Sequence, residues 1–350
     1  MRAAVLREVA EIKADGLSRR YPELPWREDP LSIEDCPHPT AGPGQVVLEV
    51  LACGVCYTDI DIIEGRVRCR IPIVPGHQVV GRVVEVGPGV KSDYPGIGET
   101  VGIAWVGKTC GRCSFCTAGL ENLCAEFMAT GCHLNGGYAE FAVAYADFVY
   151  PIPKGADYVS VAPLLCAGAV GYRALKLANL KDGSRLGLFG FGASAHIILQ
   201  VVKKLFPGIE VYVFSRSLEH RELAEKLGAD WTGHPSDTPP KKLDRAIDFT
   251  PVGEITTRAL ELLDRGGILV VNVIRKQTPI ALDYTNHLWL EKTVRSVANV
   301  TRRDVTELLS IASKYGLKTE VQVYGLEEVN KALRDLKLAK VRGSAVLKLK

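Results

Sequence analysis

No run of about 18 consecutive apolar residues occurs in this chain, so no segment reads as a membrane-spanning helix. The N-terminal stretch MRAAVLREVAEIK has no apolar signal core, and a soluble cytosolic protein without a membrane partner is expected. Charge of one sign is not in excess. Lys and Arg number 43 against 40 Asp and Glu, interspersed, for a net charge of +3. That balance leaves no broad basic face for nucleic acid. Internal repeats and low-complexity tracts are absent. Methionine is scarce, at two residues, and Asn and Gln are few, which hints at a heat-adapted, thermostable protein. The charged fraction of 24% is ordinary and does not strengthen that hint.

What is present is enough apolar material, 47% of 350 residues, for two cored domains. Ten cysteines in a small secreted chain would point to disulfides; in a cytosolic chain of this length they point to metal. Four of them read Cys110-Gly-Arg-Cys113-Ser-Phe-Cys116, then seven residues, then Cys124. Two-residue gaps let thiolates converge from one tight loop, and four thiolates satisfy tetrahedral zinc with no position left open for chemistry. Iron–sulfur ligation is the runner-up. The ferredoxin run shares the first two gaps but closes on a short third gap and Cys-Pro, whereas Ala125 follows Cys124 here. A structural zinc is the reading. Cys36, Cys53, Cys69 and Cys132 fit no ligand spacing and read as ordinary core or surface thiols.

The first 150 residues carry short valine-rich runs broken by Gly and Pro. Residues 45–51 (QVVLEVL) and 79–86 (VVGRVVEV) read as strands, and Gly87-Pro-Gly, Pro95-Gly and Gly136-Gly137 as turns. Around residue 164 the texture changes to strand-like runs alternating with helix-length patterns. Strands are expected at 186–189, 211–214, 246–249 and 268–273. Between them, Ile197, Ile198, Val201, Val202 and Leu205 fall at helical spacing, a second helix passes through Leu223 and Leu227, and a third covers 255–263. Such alternation argues a parallel sheet wrapped by helices. Helices near 305–312 and 326–336 follow. A closing strand at 345–349 is expected to return to the first domain.

The strand LGLF runs into Gly190-Phe-Gly192-Ala193-Ser194-Ala195. The first Gly permits a tight turn, the second lets backbone approach a pyrophosphate, and the third small residue lets helix and strand pack. The helix N-terminus offers free N–H groups to the phosphates. This reads as a dinucleotide site. A cofactor without a 2′-phosphate calls for Asp or Glu about twenty residues on. The second strand ends instead in Ser215-Arg216-Ser217, with Arg221 one turn further. NADP(H) is therefore favoured over NAD(H). The plain alternative is that Arg216 is a solvated helix-start residue.

Three further segments hold metal-ligand residue types: Gly54-Val-Cys56-Tyr-Thr58-Asp59, Pro75-Gly-His77-Gln78 and Leu164-Leu-Cys166-Ala-Gly168. Cys, His and Cys are the set a catalytic zinc needs, with a fourth position for water or substrate. Spacing this long does not establish that they meet.

In this order, the GVCYTD, PGHQVVGRVVEVG, four-cysteine, LLCAGAVGYRAL, GFGASA and VRGSAVLKL segments resemble the zinc-containing medium-chain alcohol dehydrogenases over essentially the whole chain. The resemblance implies a β-rich GroES-like catalytic domain over 1–163 and 299–350, with a structural zinc lobe at about 107–126. It implies an α/β Rossmann domain over 164–298, the active site lying in the cleft between the two. It implies Cys56, His77 and Cys166 as ligands of the catalytic zinc, Thr58 as relay of the alcohol proton, and Asp59 as the carboxylate behind His77. Arg342 matches an arginine that contacts the cofactor pyrophosphate. Val271 to Val273 match the strand end whose backbone holds the nicotinamide amide. Trp105 matches an aromatic lining the substrate pocket. The expected reaction moves a hydride between a small alcohol and NADP(H), returning an aldehyde or ketone, in a homo-oligomer that is a tetramer rather than a dimer.

Three positions depart from the family pattern: Gln78 where Glu is usual, Tyr57 where His or Arg is common, and Val170 in place of a Thr. None is a first ligand. Polyol and cinnamyl-type dehydrogenases remain open as substrate classes. Zinc-free quinone reductases of the superfamily lack both cysteine sets. A non-enzymatic zinc protein that binds nucleic acid is disfavoured by the near-neutral charge.

Overall fold

The computed structural model describes residues 1–10, 26, 29–91 and 96–350. The turn expected at Pro95-Gly includes Pro95, and the stretch MRAAVLREVAEIK continues past residue 10; those parts lie outside the described residues. The chain divides into two compact units. One holds Met1–Cys166, Val300–Leu309 and Thr319–Lys350, the other Ala167–Asn299 and Ser310–Lys318.

The first unit is built on a sheet ordered Val321–Tyr324, Ser344–Lys348, Gln45–Val55, Gln78–Val86, Thr100–Ile103 and Val149–Pro151, with Phe141–Tyr145 also paired to Gln45–Val55. Gln45–Val55 lies inside this sheet and is buried along nearly its whole length, which suits its run of Val and Leu. It extends four residues beyond the expected 45–51. Ala52, Cys53 and Gly54 carry little strand preference of their own, but they are paired on both sides. Cys53 faces Val79 and Gly54 faces Gln78 on one side, while Leu347 faces Cys53 and Val346 faces Gly54 on the other. Tertiary pairing decides here over local propensity. The chain therefore leaves the sheet at Cys56, the cap of helix Tyr57–Ile63, and the partner strand enters it directly after His77.

Buried charge anchors that helix. Glu64, at its end, pairs with Lys337 of helix Val329–Lys337 and with Arg66, and Arg66 also donates to Asp61 at 3.0 Å. The closing strand forms as Ser344–Lys348 and joins this unit, antiparallel to Gln45–Val55.

Two cysteines behave otherwise than expected. Cys69 and Cys132, read as ordinary thiols, form a disulfide across 63 residues, their Cα atoms 4.7 Å apart and within bridging range. It ties the loop after helix Tyr57–Ile63 to the loop at 130–137, beside a bond from the Arg70 N–H to the Cys132 carbonyl of 3.1 Å. Cys36 and Cys53 are free thiols.

The second unit is a sheet in the order Trp231–Gly233, Glu210–Phe214, Arg185–Phe189, Leu243–Asp248, Leu263–Val271, Thr293–Ser296, every pair parallel. Helices Ala193–Leu205, Leu218–Lys226 and Gly253–Leu262 connect strands. Strand order reverses beside Arg185–Phe189, the doubly wound arrangement that takes a dinucleotide at the reversal. Phe189 and Phe214 stack on neighbouring strands, centroids 4.2 Å apart, in its core. Among the described residues no single helix is long and apolar enough to cross a membrane.

Gly136-Gly137 is more than the expected turn. The loop it belongs to lies flush on residues 74–76: Gly136 donates to the Val74 carbonyl at 2.7 Å and Gly137 to that of Gly76 at 2.9 Å. A Cβ at residue 136 would fall 2.0 Å from the Gly76 oxygen and 2.6 Å from that of Pro75, both backbone atoms that cannot swing aside. Gly136→Ala is expected to cost about 3 kcal/mol in urea unfolding, as overpacking does, whereas Gly208→Ala, with nothing among the described residues within 4 Å of its Cβ position, should stay within about 1 kcal/mol.

Candidate functional site

The register that sets Gly54 opposite Gln78 brings Cys56 and His77 together at one end of the sheet. The third residue, Cys166, arrives at the end of a short 3₁₀ turn, Ala162–Leu165, whose leucines are buried. The Cys56 Sγ, a His77 ring nitrogen and the Cys166 Sγ all lie within 4.8 Å of one another. His77 Nε2 stands 3.3 Å from Cys166 Sγ. Residues 56, 77 and 166, which spacing alone did not join, thus converge.

Around them, His77 Nδ1 faces Asp59 Oδ1 at 3.2 Å, and Asp59 Oδ2 accepts the Cys56 backbone N–H at 2.8 Å. Asp59 and His77 are fully buried. The Thr58 hydroxyl lies 3.7 Å from Cys56 Sγ. Trp105 sets its ring edge-on to the His77 imidazole, centroids 5.0 Å apart, and is itself buried. A hydrogen bond with Cys166, reinforced by His77, holds the Cys56 thiol well below its ordinary range. Burial works against charge on His77, but the Asp59 carboxylate and Cys56 outweigh it and raise the imidazole to about 10. The same bond to Cys56, with burial, pushes the Cys166 thiol up. One thiolate, a second sulfur and an imidazole, with His77 and Cys166 buried and Cys56 partly so, backed by a carboxylate, form a donor set that suits zinc and leaves a fourth position.

The other cluster is local. Cys110, Cys113, Cys116 and Cys124 also lie with their sulfurs within 4.8 Å of one another, Cys113 and Cys116 being 3.6 Å apart. Backbone N–H groups of Arg112 and Cys113 aim at the Cys110 sulfur and draw its thiol down to about 7. Four thiols so disposed fit a closed tetrahedral zinc.

In the second unit the glycine turn follows strand Arg185–Phe189. Gly190 has φ +84, a conformation that favours glycine, and its N–H bonds the Phe214 carbonyl at 2.8 Å. Gly192 caps helix Ala193–Leu205, with nothing among the described residues within 4 Å of its Cβ position. Ala193 and Ser194 form the first turn of this helix, and Ala195 is buried where helix meets sheet. At the end of Glu210–Phe214, Ser215 is buried, Arg216 is exposed, and the Arg221 guanidinium donates to the Ser215 carbonyl at 2.7 Å. Val271 ends its strand and Val273 lies just beyond it, half-buried. Arg342 is exposed, two residues before strand Ser344–Lys348 of the first unit.

Residues 42–154 match the alcohol dehydrogenase GroES-like domain. A probable alcohol dehydrogenase of Mycobacterium tuberculosis is 43% identical over 313 residues, covering 88% of this chain and 90% of that one. An alcohol dehydrogenase of Geobacillus stearothermophilus is 35% identical, over 91% and 96% of the two chains. The chain belongs to the zinc-containing medium-chain alcohol dehydrogenase family. A solved cinnamyl alcohol dehydrogenase from Sorghum bicolor matches this dehydrogenase with a TM-score of 0.85 at 29% identity, covering 99% of this chain and 97% of the other. The protein is an oxidoreductase acting on alcohols or their carbonyl partners, built from a GroES-like and a Rossmann unit.

Sequence reasoning missed several residues at these sites. Tyr138 reaches Asp59 from 79 residues away. In the Rossmann unit, fully buried Asp248 accepts from the Thr250 N–H and hydroxyl at 2.8 and 2.7 Å, from Thr256 at 2.6 Å and from Lys276 at 2.6 Å. Thr250 in turn packs against Gly190, so this network backs the glycine turn. Asn272, between Val271 and Val273, buries a carboxamide without a hydrogen-bond partner among the described residues. Nothing near residue 248 in the sequence carries a motif; Lys276 arrives 28 positions later. Lys276→Met removes the only cation on the buried Asp248 carboxylate among the described residues, and should destabilise the Rossmann unit by about 3–5 kcal/mol in denaturant unfolding.

Proposed function

We propose that Cys56, His77 and Cys166 hold a catalytic zinc, that Cys110, Cys113, Cys116 and Cys124 hold a structural one, and that the dehydrogenase uses NADP(H) ahead of NAD(H). The observation that carries this reading is the convergence of three donors from positions 56, 77 and 166 onto one point. Zinc bound there supplies Lewis-acid polarisation to an alcohol or carbonyl oxygen.

The chain's own residues then divide the work. Asp59 accepts from His77 and fixes which ring nitrogen faces the metal position. Thr58, beside Cys56, carries the alcohol proton toward solvent. Trp105, edge-on to His77, lines the substrate side of the site. In the Rossmann unit, Gly190, Gly192, Ala193, Ser194 and Ala195 bind the pyrophosphate through backbone N–H groups at a helix start. Ser215 and Arg216 receive the 2′-phosphate; Arg221, which donates one N–H to the Ser215 carbonyl, has further guanidinium donors for the same phosphate. The backbone at Val271 and Val273 holds the nicotinamide amide. Gln78 cannot supply a carboxylate beside the metal; its buried Oε1 has no hydrogen-bond partner among the described residues. The substrate is a small alcohol, aldehyde or ketone. The same reading takes the enzyme as a cytoplasmic, thermostable homotetramer, on family resemblance and composition alone.

Metal analysis tests the two zinc assignments together. Wild-type protein should carry about two zinc per chain. Cys56→Ser should lose one zinc and all turnover while keeping its fold; Cys113→Ser should lose the other and chiefly lower the melting temperature. Full activity in Cys56→Ser would overturn the reading. For the cofactor, Arg216→Asp should lower kcat/KM with NADPH about 10- to 100-fold, the worth of one charge-assisted bond, with little change for NADH. Equal use of both cofactors by the wild type would sink the NADP assignment.

A further inference from the structure

Tyr138 is fully buried, and its hydroxyl donates to Asp59 Oδ2 at 2.8 Å. That oxygen also accepts the Cys56 N–H at 2.8 Å, while Oδ1 faces His77 Nδ1 at 3.2 Å. The carboxylate is thus held by three donors from three separate segments. The Tyr138 backbone belongs to the same arrangement. Its N–H bonds the Pro75 carbonyl at 3.1 Å, and its ring lies so close to Gly76 that a Cβ there would meet Cδ1 at 2.5 Å. One residue therefore fastens the segment that carries His77 and the carboxylate behind His77.

We propose that Tyr138 is a positioning residue for the catalytic metal: its hydroxyl commits Asp59 Oδ2, so that Oδ1 is left to orient His77. This rests on the reading that Cys56, His77 and Cys166 hold zinc. A carboxylate turns freely about its last torsion unless its oxygens are spoken for. With Oδ2 held by Tyr138 and by the Cys56 N–H, the plane of the group is fixed, and with it the direction of His77. Burial pushes the Tyr138 hydroxyl well above its ordinary range, so it remains a donor. A phenylalanine would fill the same volume, but it would leave Oδ2 with one donor and the carboxylate free to rock. Partners that orient a metal-binding histidine are worth about 10- to 100-fold in metal affinity.

The test is zinc release to a chromogenic chelator, followed by absorbance, from fully loaded wild type, Tyr138→Phe, Asp59→Asn and the double variant. Tyr138→Phe should release one of two zinc ions about 10-fold faster, the other at the wild-type rate, with an unchanged far-UV spectrum. A purely packing role would leave both rates alone, because the ring is kept. In the Asp59→Asn background, Tyr138→Phe should add nothing, since the hydroxyl acts through the carboxylate. That background also gives the comparison if Tyr138→Phe alone fails to fold. Wild-type release rates in Tyr138→Phe, or an undiminished effect in the double variant, would overturn the proposal. If wild type holds a single zinc that Cys56→Ser does not remove, the zinc reading itself has failed, a result distinct from both.

Discussion

The antiparallel register that places Gly54 opposite Gln78 is the constraint on which the site depends. Side chains alternate along a strand, so a slip of one residue would send every buried side chain of Gln78–Val86 to the other face. Two features pin the register. Gln45–Val55 is flanked on its other side by Ser344–Lys348, so both ladders must agree. Register shifts near Val47 and between Val50 and Ala52 let it bend without losing its pairing. The chain's last strand thereby takes part in setting the geometry of residues near position 56. A site carried by interior strand ends is held more closely than one on free loops.

The two sulfur clusters solve different problems. The lobe at 110–124 gathers its cysteines from one short stretch, half exposed, with backbone N–H groups at hand. The trio at 56, 77 and 166 has His77 and Cys166 buried and Cys56 partly exposed, and it depends on elements far apart in sequence. Burying that much polarity is tolerable only because each partner is itself bonded: Asp59 by His77, Cys56 and Tyr138. The Rossmann unit follows the same rule at Asp248, whose oxygens are shared among Thr250, Thr256 and Lys276.

What the sequence disclosed follows from how local each signal is. The cluster Cys110, Cys113, Cys116, Cys124 and the turn Gly190-Phe-Gly192 are local, and both were legible from spacing and from their place between strand and helix. The alternation after residue 164 was legible as a parallel sheet, though the three-residue strand Trp231–Gly233 was too short to carry a pattern. Cys56, His77 and Cys166 were legible as ligand residue types in three segments, but that they belong together came only through resemblance, because convergence across a hundred residues leaves no spacing rule to read. The stretch 52–55 extended a strand against its own weak preference, through partners at 78–80 and 345–348. Tyr138, Lys276 and the Cys69–Cys132 bridge were invisible for the same reason: each is defined by a partner supplied from elsewhere in the fold.

That bridge bears on how the molecule is assembled. Six other cysteines stand in the two clusters proposed to hold zinc, and they can serve as ligands only while unoxidised. The chain must oxidise one pair while sparing the rest, and a metallated sulfur is shielded from the chemistry that joins Cys69 to Cys132. On the zinc reading the order of the two reactions matters: metal bound first would guard the six, whereas oxidation ahead of metal would open them to wrong partners.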